Sequence, residues 1–280
     1  MQIGIIGYGV VGRAITATFR DHGHTVWINE KVDSVNNDAV SPRFVGKQFL
    51  IDNCEVIFIC VPTPITEVRS DDMQSIYDVF EELTQLHTLF SSINHSDLPN
   101  DPVFVIKSTV TVGLTDKLSN FCFYELDVAF NPEFLRQNTS LADASAPDRI
   151  IIGTNSERAK KVLMKLYHDF DCPIFIVDTK TAELAKLFSN AFLTTKVAFS
   201  QQIRKAVTQY DLETFPYELL TSDHRIGNSH LNSDFGKIPH DSACLPKDLL
   251  ALIRSLDAPN NFLNIVYDEA IVNELYFKIH

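Results

Sequence analysis

The sequence predicts an α/β protein: a doubly wound parallel sheet over residues 1–178, then an all-helical domain with one long helix over residues 179–280. Three observations predict it. Short β-branched and aromatic runs alternate with helical patterns from residue 2 to residue 177. A glycine-rich turn joins the first run to the first helical pattern. The strand signal then stops, and residues 180–209 contain neither Gly nor Pro.

Each element follows in order. Residues 2–6 (QIGII) form an apolar run that ends at Gly7, and residues 13–22 follow with helical spacing. His24–Asn29 reads as a second strand. Glu55–Val61 is a continuous apolar run, as a strand buried on both faces requires. Residues 72–90 read as a helix, and 91–101 (SSINHSDLPND) as a polar surface loop. Pro102–Ser108, Leu126–Phe130 and Arg149–Gly153 are further strands. Residues 155–169 read as a helix with Val162, Leu163, Leu166 and Tyr167 on one side, and Pro173–Val177 closes the sheet. Beyond Asp178, the residues Ala182, Ala185, Phe188, Phe192 and Phe199 lie among other apolar positions. They predict one long, heavily buried helix, too apolar all round for a surface helix. Residues 221–247 are turn-rich and polar, and Leu249–Leu256 and Phe262–Leu275 read as two more helices.

Composition excludes several classes. Hydrophobic residues make up 45% and charged residues 21% of the 280, which rules out wholesale disorder. There are 24 basic and 36 acidic side chains, a net charge of −12, which argues against a general binder of nucleic acid or anionic membranes. No apolar run approaches the roughly 18 residues a membrane span needs. The N-terminus has no basic leader and no small-residue cleavage site, so it reads as a strand and turn rather than a signal peptide. The five cysteines (Cys54, Cys60, Cys122, Cys172 and Cys244) are odd in number and form no CxxC. That suits reduced thiols and a cytoplasmic location.

Gly7-Tyr8-Gly9-Val10-Val11-Gly12 is a GxGxxG turn between the first strand and the first helix, the Rossmann context in which that motif binds a dinucleotide. Gly7 permits the tight turn, Gly9 lets backbone approach a pyrophosphate, and Gly12 lets the helix pack closely. Glu30 ends the second strand 18 residues past Gly12, placed for an adenosine ribose. Its carboxylate repels a 2′-phosphate, which favours NAD over NADP.

Four later segments carry further chemistry: Val61-Pro62-Thr63-Pro64, Lys107-Ser108-Thr109-Val110, Asn131-Pro132-Glu133-Phe134-Leu135-Arg136, and Cys244-Leu245-Pro246-Lys247-Asp248. The first three sit at carboxyl ends of strands, where open α/β sheets place ligands. His230, His240, Asp241 and Cys244 are too loosely spaced for a zinc site, and no metal is expected.

With GYGVVG, VPTP, KSTV, NPEFLR and PDRIIIG, ELAKLFSNAFLTTK, RIGN and CLPKD in this order, the sequence resembles the UDP-glucose/GDP-mannose dehydrogenase family from residue 1 to about 275. The resemblance implies oxidation of a nucleotide sugar's primary alcohol to a carboxylate, with two hydrides passed to NAD. It implies Cys244 as the nucleophile, with Lys186 and Asn190 on one helix face stabilising the reacting oxygen. Asp248, Thr109 and Glu133 match the family's remaining catalytic positions. Val61, Pro62, Thr63, Ser108, Thr109, Gln137 and Lys247 would join Gly7–Gly12 and Glu30 at the cofactor. Glu133, Phe134, Leu135, Lys186, Asn190 and Arg225 would meet the sugar nucleotide. Arg225 corresponds to an arginine that reaches into a partner's site, which implies a homodimer built on residues 180–275.

The sequence departs from the family pattern in three places. A third domain, which closes on the nucleotide in family members, is not part of this chain. The family's glycine-rich approach to the cysteine is here Phe235-Gly236-Lys237-Ile238-Pro239-His240-Asp241-Ser242-Ala243, longer and with one glycine fewer. Gln137-Asn138 replaces the family's usual acid. These departures keep two other readings open: an NAD-binding dimeric regulatory module, and a two-electron dehydrogenase of a smaller alcohol.

Overall fold

The computed structural model describes residues 1–30, 44–64, 73–94, 101–120, 126–231, 236–239, 242, 244–256 and 261–271. The seven apolar runs all become strands of one sheet, ordered β2-β1-β3-β4-β5-β6-β7. In chain order the elements begin β1 (Gln2–Ile6), α1 (Val10–Asp21), β2 (Thr25–Asn29), α2 (Lys47–Asn53), β3 (Val56–Ile59), α3 (Gln74–Asn94) and β4 (Val103–Ile106). They continue with α4 (Leu114–Ser119), β5 (Val128–Phe130), a 3₁₀ turn at Gln137–Thr139, α5 (Ser140–Ser145), β6 (Ile150–Gly153), α6 (Glu157–Leu166) and β7 (Ile174–Val177). The long α7 (Thr179–Gln209) follows, then α8 (Glu218–Thr221), α9 (Leu245–Ser255) and α10 (Asn261–Ala270).

The chain divides into two compact units. One holds Met1–Thr63 and Asp71–Lys186; the other begins at Leu187 and also takes in Pro64–Ser70. In the first unit, β3 and β4 are buried at every residue, as their unbroken apolar sequences require. Ala14, Ile15 and Phe19 form the inner stripe of α1. Phe19 packs at a tilt against Phe58 of β3 with ring centroids 5.2 Å apart, and Phe80 of α3 against Phe104 of β4 at 5.9 Å. All four rings are within 2% of full burial, each stabilising by roughly 1.5–3 kcal/mol. Ser156 caps α6 by accepting from Ala159 N at 3.0 Å.

The pairing is parallel except between β5 and β6, which meet antiparallel at Phe130 and Gly153. The expected doubly wound parallel sheet is present, with this one reversed pair, whose direction its short runs do not reveal.

In the second unit α9 packs on α10 through buried Leu249, Leu252, Val266 and Ala270. Lys205 of α7 pairs with Glu269 at 2.7 Å, and Ser200 bonds the Tyr217 hydroxyl at 3.2 Å.

Other boundaries also moved. The helix α3 runs on to Asn94 into the stretch expected as loop, because serine does not stop a helix and no Gly or Pro precedes Pro99. The rest of that loop, 95–100, lies outside the described residues. The short helices α2, α4, α5 and α8 were not expected, since four to seven residues carry too little periodicity. The helix α7 is where the sequence placed it, but it is not buried all round: Phe188, Phe192 and Phe199 are 51%, 65% and 55% exposed. The helix α9 starts at Leu245, four residues before the apolar run, because Pro246 suits a first helical turn.

Candidate active site

In the first unit, chain direction out of β1 reverses between β2 on one side and β3 on the other, which opens a crevice at the carboxyl ends of β1 and β3. The GxGxxG turn fills that position. Gly7 has φ +93, and a Cβ there would stand 2.6 Å from the Cys60 carbonyl oxygen. A Cβ on Gly12 would stand 2.0 Å from the Gly7 carbonyl oxygen. Fold geometry alone therefore demands both glycines. Gly9 differs: nothing lies within 4 Å of a Cβ built on it, and it opens α1 with no side-chain cap. The unclaimed N–H groups and open space fit a dinucleotide pyrophosphate.

Glu30 directly follows β2 and accepts a short hydrogen bond from Tyr8 N, which fixes its carboxylate against the glycine turn. Tyr8 packs edge-on to Phe44 at 6.0 Å, and Arg13 lies over the Tyr8 ring at 5.3 Å. Val10 and Val11 begin α1, and Val10 is 49% exposed. At the end of β3, Val61 is half-buried, Pro62 exposed and Thr63 buried. Ser108 ties this segment to the end of β4: its hydroxyl donates to Val61 O at 2.6 Å. Thr109 is buried beside it.

After β5 the chain turns through Asn131-Pro132-Glu133. One Glu133 oxygen accepts from Leu135 N at 2.7 Å; the other lies 2.9 Å from Lys186 Nζ, which also donates to Glu133 O at 2.7 Å. Lys186 is 3% exposed. Phe134 lies under two cations, Arg149 at 4.0 Å and Lys186 at 5.4 Å. Gln137 opens the 3₁₀ turn, with its side chain outside the described residues.

Two residues in this unit carry structure that sequence reasoning assigned no role. Glu183 is fully buried and accepts from Gly113 N at 2.5 Å, Thr115 N at 2.9 Å and Thr115 Oγ1 at 2.6 Å. It thereby ties the start of α4 to α7, one helical turn before Lys186. Lys107 is 8% exposed and donates to Asn131 Oδ1 at 2.7 Å. Burial pushes the Lys107 ammonium down to about 8, and pushes the neighbouring Cys60 thiol up to about 12. A lone acid on an apolar helix face was the signal for Glu183; a lysine ending an apolar strand run was the signal for Lys107.

In the second unit, Cys244 is exposed at the N-cap of α9. Cys54 and Cys60 are buried, Cys172 is half-buried, and Cys122 lies outside the described residues. Asp248 stands in the first turn of α9, 1% exposed, and accepts from Asn190 Nδ2 at 2.6 Å. Lys247, expected at the cofactor, turns its ammonium to Asp248 Oδ1 at 2.9 Å. Arg225 is forked onto Asp223 through Nε and Nη2, at 3.0 and 2.5 Å, on an exposed turn. Phe235, His240, Asp241 and Ala243 of the lengthened loop lie outside the described residues, and the described residues hold no metal-binding cluster. Among them no helix is long and apolar enough to cross a membrane.

Comparison with known proteins places this arrangement. Residues 43–171 match the NAD binding domain of the UDP-glucose/GDP-mannose dehydrogenase family, and residues 180–274 match that family's central domain. The chain belongs to this family. Residues 2–75, which include the glycine turn, also match a model described as NADP oxidoreductase coenzyme F420-dependent. The UDP-glucose 6-dehydrogenase YwqF of Bacillus subtilis is 30% identical, over 91% of this chain and 61% of its own length. A UDP-glucose 6-dehydrogenase of Pseudomonas aeruginosa is 29% identical, over 92% and 62%. The solved UDP-glucose dehydrogenase of Pyrobaculum islandicum shares the fold at TM-score 0.79 and 24% identity, over 95% of this chain and 66% of that one. The chain thus spans about three-fifths of the curated YwqF protein.

Proposed function

We propose that the chain carries the cofactor-binding and catalytic units of a nucleotide-sugar 6-dehydrogenase, which oxidises the C6 alcohol of a UDP-glucose-like substrate to the uronic acid. The observation that carries this reading is Cys244: an exposed thiol at the N-terminus of α9, whose first turn holds Asp248 bonded to Asn190. A helix N-terminus is a setting that favours thiolate.

NAD supplies the acceptor for one hydride in each of two oxidations. In the first, the alcohol loses a hydride from C6 and its hydroxyl proton, leaving an aldehyde. Lys186, tethered by Glu133, is the cation suited to the oxygen charge that develops. The Cys244 thiolate then adds to the aldehyde carbonyl to give a thiohemiacetal, and Asn190 is the donor for its oxygen. Loss of the second hydride turns that carbon into a thioester. Water ordered by Glu133 and Thr109 attacks it, the thiolate leaves and the carboxylate is released. One alcohol and one water thus yield one carboxylate, two NADH and three protons from two NAD. Phe134 and Leu135 line the sugar beside Glu133. The carboxylate of Glu30 supports NAD over NADP. The thiol chemistry needs a reducing compartment, which supports a cytoplasmic location.

The same reading has the chain work as a homodimer through residues 180–275. Phe188, Phe192 and Phe199 stand exposed at spacings of four and seven along α7, one stripe of a helix. Contiguous exposed aromatics of this kind mark a protein contact. Arg225 would leave Asp223 for the partner's substrate.

The test is the NADH formed per sugar consumed, with the purified chain, NAD and a panel of UDP-glucose, UDP-N-acetyl sugars and GDP-mannose. Two NADH per sugar are expected. One NADH would replace this reading with a two-electron dehydrogenase, and none, in a chain that binds NAD, with a regulatory module.

A further inference from the structure

Lysine is almost never buried without a charge partner. Lys107 is the buried last step of β4 into the candidate site, and its hydrogen-bond partner is an amide: Asn131 Oδ1 at 2.7 Å. The same oxygen accepts from the buried Tyr167 hydroxyl at 2.5 Å. Asn131 also donates through Nδ2 to Ile151 O at 2.7 Å and through its backbone N–H to Ile106 O at 2.9 Å. Four bonds from β4, β6 and the end of α6 thus fix one residue, and the next two in the chain are Pro132 and Glu133.

A neutral donor would satisfy Asn131 Oδ1 without the cost of desolvating a charge. The groups that face the ammonium supply a reason for the charge. They are Cys60 at the end of β3, Glu133 after β5 and Lys186 on α7. Burial holds Cys60 and Tyr167 in their neutral forms. Glu133 is therefore the anion on which Lys107 acts, from a different element than Lys186.

We infer that Lys107 is a positioning residue for Glu133: through Asn131 it sets the turn that presents the carboxylate to Lys186. This rests on the assignment of Glu133 to the reacting site. It adds a dependence on pH. Burial brings Lys107 to about 8, so its charge is in place at neutral pH and is lost just above it.

The test follows Lys107 directly and needs no turnover. The full chain, carrying ¹³C-labelled lysine, is titrated by NMR. Lys107→Gln identifies the Lys107 signal, expected to titrate near 8, well below ordinary lysines. In Glu133→Gln its midpoint should fall by about half a pH unit or more, because the attracting charge is gone. A Lys107 midpoint that does not move in Glu133→Gln overturns the inference, and that measurement stands even if Lys107→Gln fails to fold. Movement of the Lys107 midpoint in a chain that makes no NADH would uphold the inference and sink only the dehydrogenase reading. In an active chain, Lys107→Gln should lower kcat, leave substrate KM within about twofold, and remove the decline in kcat above pH 8.

Discussion

Asn190 donates through Nδ2 to Asp248 Oδ2 at 2.6 Å, joining α7 to the first turn of α9, with the two residues 8% and 1% exposed. The other Asp248 oxygen goes to Lys247, so a buried carboxylate is shared between an amide and an ammonium. Removing the amide leaves one oxygen of a buried anion short of a donor. Asn190→Ala should cost roughly 2–3 kcal/mol of stability, the scale of a hydrogen bond to a charged group. Asp248→Asn combined with it should restore part of that loss. Urea denaturation of the four combinations measures the coupling, and strict additivity would argue against the shared carboxylate.

The glycine turn separates fold from ligand binding. Gly12→Ala puts a methyl 2.0 Å from the Gly7 carbonyl oxygen and should yield an unstable or misfolded first unit. Gly9→Ala meets no protein atom within 4 Å, and φ −75 suits alanine. Its melting temperature should stay within a degree or two of the parent, while NAD affinity falls by about tenfold or more as the methyl meets the pyrophosphate. Thermal melts beside NAD titrations by calorimetry make the comparison. Equal NAD affinity in Gly9→Ala would remove this turn from the cofactor site.

Thiol exposure gives a test of Cys244 that is independent of substrate. Brief treatment with iodoacetamide should label Cys244 ahead of Cys54 and Cys60, whose thiols burial pushes up to about 12. Peptide mass mapping reads the order. Cys244→Ala should then abolish carboxylate formation and leave NAD binding unchanged. A variant that still makes acid at the parent rate would end the nucleophile assignment.

Oligomeric state should follow the phenylalanine stripe. Light scattering is expected to give a dimer for the parent. Phe192→Asp, at a position 65% exposed and so tolerant within one chain, should shift it to monomer with the first unit still folded. A dimer unchanged by Phe192→Asp and Phe199→Asp would move the interface elsewhere.

Lys107 leaves a thermodynamic signature. Its folded value, near 8, lies below the ordinary lysine value of about 10.4, so between those limits the unfolded chain binds a proton that the folded chain does not. Its contribution to stability must rise with pH through that window. Cys54 and Cys60 act in the opposite sense, because their raised values keep protons on the folded chain. The difference between the parent and Lys107→Met isolates the lysine. The parent should gain on the variant from pH 8 to pH 10, and a constant difference would show that Lys107 titrates normally.

Much of this was legible in the sequence, for identifiable reasons. Strands such as Val56–Ile59 and Ile150–Gly153 are buried at every residue, so composition alone marks them. The glycine turn was legible because backbone space admits few residues. Glu133 with Lys186, and Asn190 with Asp248, were singled out from motifs, and each pair is in contact within its own unit. What escaped is long-range. Nothing near Glu183 in the chain announces Gly113 and Thr115, 70 and 68 residues away. The resemblance that set Lys247 at the cofactor says nothing of its ion pair with Asp248 in the first turn of α9. The phenylalanines of α7 looked like core because sequence does not say which apolar face a chain leaves uncovered.

The reversed β6 decides where α7 can bring Lys186. A helix that follows a parallel strand starts at the rim where β1 to β5 end and runs away from it. Because β6 and β7 point the other way, α7 sets out from below that rim and climbs toward it. Seven residues from Thr179 to Lys186, at 1.5 Å each, lift the ammonium about 10 Å, to the level of Glu133. One inverted strand thus turns what would be a departing connector into an arm that delivers a cation to Glu133. An insertion or deletion in the first two turns of α7 would swing Lys186 off Glu133 by about 100° for each residue.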